Sequence, residues 1–465
     1  MARLLGVTKE EPFFKVNNEK IFFCYDPPHV IKCLRNALFN YGLQIEGTGI
    51  ASWEYVEAIY ELDSARDHGS RMLPRLTARD LELKRPFAKL SVPRCMHVMS
   101  NSAASAMENA METGTIPIFA APTHRLIKNT NDTFDCLNTS KLQAANVLCR
   151  ALTPFSPHKA KLEAMMEFFS NVGSLSPKFV DKPNNLPSLQ GVQLTINCIL
   201  KLMEHLFTNK GFSFLLTRRI NQDPCENLFA FIRSKGGNRT NPNPREFRSA
   251  LVQVIVARLL ESPKGKNCED DLNEFLFGLD SVKSFGADST IESKLAQNFK
   301  ESSQSLPREV PEPPLTLHEE SIVSYVGGWI VKKIDSKTSK FCSSCINKLS
   351  KKKSAIKHNE TRQKFLMTKQ YKELSSDQGL KVASDELLPL LDKCEQLFLS
   401  KIEDAISGKN VLYSLIVSIV AETSELSRHF LCPKKSEPCT LQTSIIHVFV
   451  KCRFLFEIKQ INRSL

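Results

Sequence analysis

Residues 216–237 read LTRRINQDPCENLFAFIRSKGG. Asp223 and Glu226 stand three apart there, uncompensated by nearby lysines, ahead of an apolar, helix-spaced run that leads to Arg233 and a Gly-Gly pair. Spacing alone reads this as a helix start, with Asp223 capping, Pro224 in the first turn and Glu226 at the third position of a capping box. Any chemical use of the pair must be argued from the rest of the chain. A second constellation is CSSC, Cys342 and Cys345. A C-x-x-C pair is half of a Zn²⁺ site and gains force only when further donors close the tetrahedron. Cys439 and His447 lie downstream at irregular spacing, so buried thiols are the competing reading.

The elements that would position these residues are mostly helical. KIFFCYD at 20–26 is a compact apolar run that ends in Asp26 and reads as a buried strand. Proline punctuation follows, then a helix with its apolar face at Val30, Leu34 and Leu38. Helical periodicity dominates from about 52 to 222, in SAASAMENAMETG, KLQAANVLCRAL, HKAKLEAMMEFFSNV and GVQLTINCILKLMEHLF, and again in FRSALVQVIVARLL at 247–260. ESSQSLPREVPEPPLTLHEE at 301–320 is rich in Pro, Ser and Glu and reads as a linker. The remainder, from SIVSYVGGWIVKKI through DELLPLLDKCEQLFLSKIEDAI to the C-terminus, is apolar-periodic and helical.

The chain has 465 residues, enough for several domains, with 42% hydrophobic and 24% charged residues, as in an ordinary globular protein. A formal charge of +12 favours an anionic partner, and nucleic acid is the commonest, because lysine and arginine release its condensed counterions. The most apolar window, VLYSLIVSIVA at 411–421, is too short to cross a bilayer and reads as a buried helix. Fourteen scattered cysteines without an export signal imply reduced thiols in a cytosolic or nuclear compartment.

Several strings, in order along nearly the whole chain, resemble the P-element transposase family. They are YDPPHVIKCLRN (25–36), LTARDLELKRPFAKLSV (76–92), FDCLN (134–138), SLQGVQLTINCIL (188–200), FLLTRRINQDPCENLFAFIRSKGGNRTNPNPREFRSAL (214–251) and YVGGWIVKK (325–333). The resemblance implies an α+β, mostly helical fold, in which a partial ribonuclease H-like core is split by a large helical insertion and followed by a helical C-terminal domain. The expected boundaries are 1–65 for the first part of the core, 66–222 for a guanine-nucleotide-binding-like insertion, 223–262 for the late helix of the core, 263–320 for a linker and 321–465 for the C-terminal domain.

In such transposases three carboxylates from separate elements hold two divalent ions, one activating the attacking oxygen and the other stabilising the leaving oxygen. By resemblance Asp26 is the second of these acids and Glu226 the last, Asp223 assists or caps, and Mg²⁺ is the expected ion. His29, in DPPH, is expected at the helix start or at a phosphate rather than on a metal. In FDCLN, Asp135 would accept from the guanine of GTP, Phe134 would stack on the base and Asn138 would assist. Arg75 stands where the family has a lysine, and Ser91 replaces another. The competing reading is a helix turn with Phe134 and Leu137 in the core.

The departure from the family carries as much information. Its first catalytic acid lies on a strand well upstream of DPPH, yet only 25 residues precede Asp26 and none is Asp. Glu10, Glu11 and Glu19 are the upstream acids, and none sits in a strand-like apolar run. No C-x-x-C precedes residue 342, so the zinc-bearing THAP domain is also missing from this sequence. The expectation is therefore a transposase-derived, DNA-binding, nuclear protein with an incomplete acid set, shortened at its N-terminus and dimeric by ancestry. KLSKKK would serve as nuclear signal. A repressor or host-adopted DNA- or GTP-binding factor is the alternative of a different class.

Overall fold

The computed structural model describes residues 2–65, 69–85, 88–179, 181–235, 241–256, 314–336, 341–351, 361–369, 381–406, 411–432 and 440–464. The body of the expected linker, Cys439 and the basic stretch after Lys351 lie outside the described residues.

Helices carry the architecture, and among the described residues three small antiparallel sheets accompany them, in an α+β, mostly helical fold. In chain order the strands are β1 (Phe13–Val16), β2 (Glu19–Phe22), β3 (Leu43–Ile45), β4 (Gly49–Ala51), β5 (Val172–Ser174), β6 (Ser350–Lys351) and β7 (Val382–Ala383). The helices before the linker are α1 (Pro27–Tyr41), α2 (Glu54–Asp63), α3 (Ala78–Leu81), α4 (Val92–Val98), α5 (Asn101–Glu112), α6 (Ala121–Leu137), α7 (His158–Ser170), α8 (Pro187–Glu204), α9 (Asp223–Lys235) and α10 (Pro244–Val256). After it come α11 (Leu317–Asp335), α12 (Ser343–Ile346), α13 (Lys364–Lys369), α14 (Leu387–Ile406), α15 (Val411–Glu422), α16 (Ser424–Ser427) and α17 (Leu441–Ser464).

The chain divides into two compact units. The first comprises 1–57, 76–104 and 119–272; the second comprises 58–75, 105–118 and 273–465. In the first unit, α1 buries Val30, Ile31, Leu34, Ala37 and Leu38 and packs on α8, which also packs on α7. The helix ends at Gly42, whose φ of +71° is open to glycine and whose N–H returns to the Leu38 carbonyl. Strand β3 pairs with both β4 and β5. In the second unit α11, α14, α15 and α17 pack on one another, and α15 is the buried helix expected from VLYSLIVSIVA. No described helix is long and apolar enough to cross a membrane.

Two local expectations are corrected. The strand in KIFFCYD ends at Phe22, well short of Asp26, and it is an exposed hairpin arm rather than a buried strand. Its partner is local: Asn17 and Asn18, at φ of 50° and 69°, close a two-residue turn that needs positive φ at both positions, so β2 pairs back on β1. Glu19 therefore does sit in a strand, opposite Val16 and within 3.6 Å of Lys210. The second correction is KLQAANVLCRAL, which is not an α-helix. Bridges from Lys141 to Arg150 and from Leu152 to Leu215 hold its ends extended. Between them Asn146 caps a single 3₁₀ turn at Val147–Cys149, and Arg150 Nε donates to the Ala144 carbonyl. Tertiary pairing overrides a helical pattern here.

Candidate functional site

Asp26 is placed by the two segments that flank it. Upstream, the Tyr25 N–H donates to Thr195 Oγ1 on α8 at 3.2 Å. Downstream, Asp26 is the N-cap of α1 and its Oδ2 accepts the His29 N–H at 3.3 Å. Its other oxygen, Oδ1, accepts the Gln222 N–H at 2.9 Å, one residue before α9 begins. One carboxylate thus serves the starts of two helices that are remote in sequence. Unpaired N–H groups and the positive ends of helix dipoles make that position favourable for an anion. Burial works against the charge and raises the Asp26 pKa, while the Gln222 and His29 interactions pull it down and Asp223 raises it further.

Helix α9 is held by a small core in which Leu228 and Phe247 pack on Ile232 and Ala250 of α9 and α10. The first turn of α9 approaches α1 through Glu226 and His29. Glu226 Oε1 lies 3.3 Å from His29 Nε2, and Asp26 Oδ2 lies 3.9 Å from the same nitrogen. The two acids expected to work together therefore flank one imidazole. Asp26 is buried, whereas His29 and Glu226 remain about half exposed. Asp223 takes another course: Arg218 Nε donates to its Oδ2 at 3.2 Å. Beside Asp26, which takes the Gln222 N–H, Asn221 Oδ1 accepts the Asp223 N–H at this helix start.

Carboxylate oxygens suit Mg²⁺. Among the described residues, however, the ligand atoms of Asp26, His29 and Glu226 do not all lie within 4.8 Å of one another, as a shared ion would require.

The FDCLN segment closes α6. Phe134 and Leu137 are buried in the core, and Asn138 is the C-cap. The Asp135 Oδ2 accepts from Asn131 Nδ2 at 3.0 Å and Asn146 Nδ2 at 2.7 Å. Burial pushes its carboxyl up to about 7, with Asp132 adding to the rise. Asn138 Oδ1 accepts from Asn221 Nδ2 at 3.3 Å, and Thr139 and Thr217 bond to each other through backbone and hydroxyl. The end of α6 is thereby tied to the strand of chain that enters α9. Ser91 caps α4 by accepting the Arg94 N–H. Arg75 belongs to the second unit, where burial, and then Arg75 itself, push Lys369 down to about 7.

Comparison with known proteins places these residues. A family model described as the TNP-like, GTP-binding insertion domain matches residues 28–147, and the TNP-like, RNase H C-terminal domain matches 219–250. The transposable element P transposase of Drosophila melanogaster is 27% identical over 282 residues, which cover 59% of this chain. This chain is a relative of the P element transposase.

That alignment spans 36% of the transposase's own length. The solved Drosophila P element transposase strand transfer complex also matches, at 27% identity and a TM-score of 0.49, over 56% of this chain and 58% of the transposase chain. Glu226 and Asp223 fall in the RNase H C-terminal match, and His29, Phe134, Asp135 and Asn138 in the GTP-binding insertion match. Two participants escaped sequence reasoning. His29 lies at the helix start as expected, but its contact with Glu226 was not, because nothing in DPPH points to a residue 197 positions away. Cys432 joins Cys342 and Cys345, where Cys439 and His447 were the expected partners. His447 is not in that group, and a lone cysteine far from CSSC carries no spacing signal.

Proposed function

We propose that this chain is a P-element-type, transposase-derived DNA-binding protein that works in the nucleus without cutting its DNA. The observation that carries the reading is the meeting of Asp26 and Glu226 at His29, in a chain related to the P element transposase. The two acids are inherited parts of a phosphodiester-cleaving centre that would hold Mg²⁺. Asp26 has both oxygens committed to helix starts, a use that competes with holding an ion over a scissile phosphate, and a misplacement of about 1 Å alone costs on the order of a hundredfold in rate. What remains is backbone binding by a chain of charge +12, which strengthens as salt falls.

Guanine nucleotide is the proposed small ligand of the insertion, with Phe134, Asp135 and Asn138 the residues taken from the resemblance. The bond between Asn138 and Asn221 would pass a change there to the start of α9. A homodimer is the proposed assembly.

The test is the purified full chain on double-stranded DNA with Mg²⁺ or Mn²⁺, beside Glu226→Ala. The expected result is binding that weakens steeply with salt, equal in both proteins, and no strand cleavage or joining. Metal-dependent cleavage that disappears in Glu226→Ala would overturn the non-catalytic reading and make the chain a nuclease. Absence of DNA binding at low salt would overturn the DNA-binding reading itself.

A further inference from the structure

Three thiols of the second unit converge. Cys342 is the N-cap of the short helix α12, and the Cys345 and Ile346 N–H groups both return to its carbonyl at 3.0 and 3.1 Å. This tight turn aims the Cys345 N–H at the Cys342 sulfur as well, and brings Ser344 Oγ within 3.4 Å of it. Cys345 is buried, while Cys342 and Cys432 are partly exposed. Cys432 comes from the end of the 3₁₀ turn Arg428–Phe430, and its sulfur lies 3.7 Å from that of Cys342. Lys348 Nζ donates to the His429 carbonyl at 2.9 Å and holds the two segments side by side. All three sulfurs lie within 4.8 Å of one another.

The spacing discriminates between the chemistries open to cysteine. A disulfide needs about 2.05 Å between two sulfurs and has no use for a third. Zn–S bonds of about 2.3 Å in a tetrahedron put neighbouring sulfurs about 3.8 Å apart, close to the 3.7 Å between Cys342 and Cys432. A C-x-x-C turn whose backbone N–H faces the first sulfur also stabilises a thiolate rather than a thiol. Mg²⁺ and Ca²⁺ prefer oxygen, so the set selects a softer ion.

We propose that Cys342, Cys345 and Cys432 bind one Zn²⁺ as thiolates, forming a structural clip between residues 342–349 and 428–432. Each thiol that ligates releases its proton to solvent, and the fourth tetrahedral position is left to water or a further donor. The clip locks the turn that leads into β6, whose neighbour Leu349 accepts the Ser384 N–H at 2.9 Å.

The test uses the full chain purified under reducing conditions and dialysed against metal-free buffer. Stoichiometric zinc is expected in the wild type and in Cys33→Ser, a change at an exposed cysteine elsewhere, and at least a tenfold loss in Cys342→Ser and Cys432→Ser. Because a cysteine variant can fail to fold, the wild type is also stripped and titrated with Co²⁺, where a thiolate-to-metal charge-transfer band is expected. Zinc retained in Cys432→Ser would overturn the three-thiolate site. So would a wild type that holds no zinc and gives no charge-transfer band with Co²⁺.

Discussion

His29 Nε2 stands 3.3 Å from Glu226 Oε1, a contact between residues 197 apart in sequence. Asp26 meets the same imidazole from the buried side, while its own oxygens hold the starts of α1 and α9. The two acids therefore do different physical work, and substitution separates them.

Asp26→Ala removes a helix cap and the anchor of Gln222. A loss of about 1–3 kcal/mol in unfolding free energy is expected, since a cap alone is worth about 0.5–2 kcal/mol. Asp26→Asn keeps one acceptor oxygen and falls between Ala and wild type. Glu226 is half exposed, so Glu226→Ala changes stability by about 0.5 kcal/mol or less. Urea unfolding of the three variants checks the order, and equal losses at both positions would refute it.

Asp135 sets a pH dependence. Its carboxyl is raised from 3.8 to about 7, so between those values the folded chain holds a proton that the unfolded chain has lost. The contribution to stability is full below 3.8, falls as pH rises through the window, and is level above about 7. Asp135→Asn removes this slope. Trp53 lies in the first unit with Asp135, and Trp329 in the second. Fluorescence-detected unfolding in a Trp329→Phe background therefore reports the right unit, and a slope that survives Asp135→Asn would exclude this source.

Adjacent glycines in YVGGWIVKK should respond unequally. A Cβ on Gly328 would run into the Lys381 backbone carbonyl, which cannot step aside cheaply, whereas one on Gly327 would meet the Leu391 methyl at 3.0 Å. Gly328→Ala is expected to cost about 1–3 kcal/mol or more by overpacking, and Gly327→Ala less. Thermal unfolding of the two variants compares them directly.

The second unit buries an ion pair. Arg453 Nε donates to both Glu395 oxygens at 3.0 and 2.8 Å, Ser70 Oγ donates to Oε1 at 2.6 Å, and both charged side chains are almost fully shielded from water. Glu395→Ala strands a buried guanidinium and should cost about 3–5 kcal/mol. Replacing both partners, as Glu395→Leu with Arg453→Met, should recover most of that loss. A double variant as unstable as the sum of the two single ones would show that the pair is not the source of the cost.

The helices that the spacing of apolar residues marks are largely the helices that form. Val30, Leu34 and Leu38 recur on one face of α1 and are buried there, and VLYSLIVSIVA becomes α15, because a 3.6-residue period is a local property that burial of one face then stabilises. The quoted motifs were enough to relate the chain to the P element transposase. They also left two readings of FDCLN, whose Phe134 and Leu137 are buried in the fold.

Local pattern fails where a distant partner decides the backbone or the neighbour. KLQAANVLCRAL has a helical period, but pairing with Leu215 draws its end out extended. KIFFCYD looks like a buried strand, but the nearest partner is its own hairpin arm, reached through Asn17 and Asn18. The placing of His29 between Asp26 and Glu226, and of Cys432 beside Cys342, depends on chain crossings of 197 and 90 residues. Periodicity reports which face of an element is apolar and nothing about which element lies opposite, so packing alone brings those residues together.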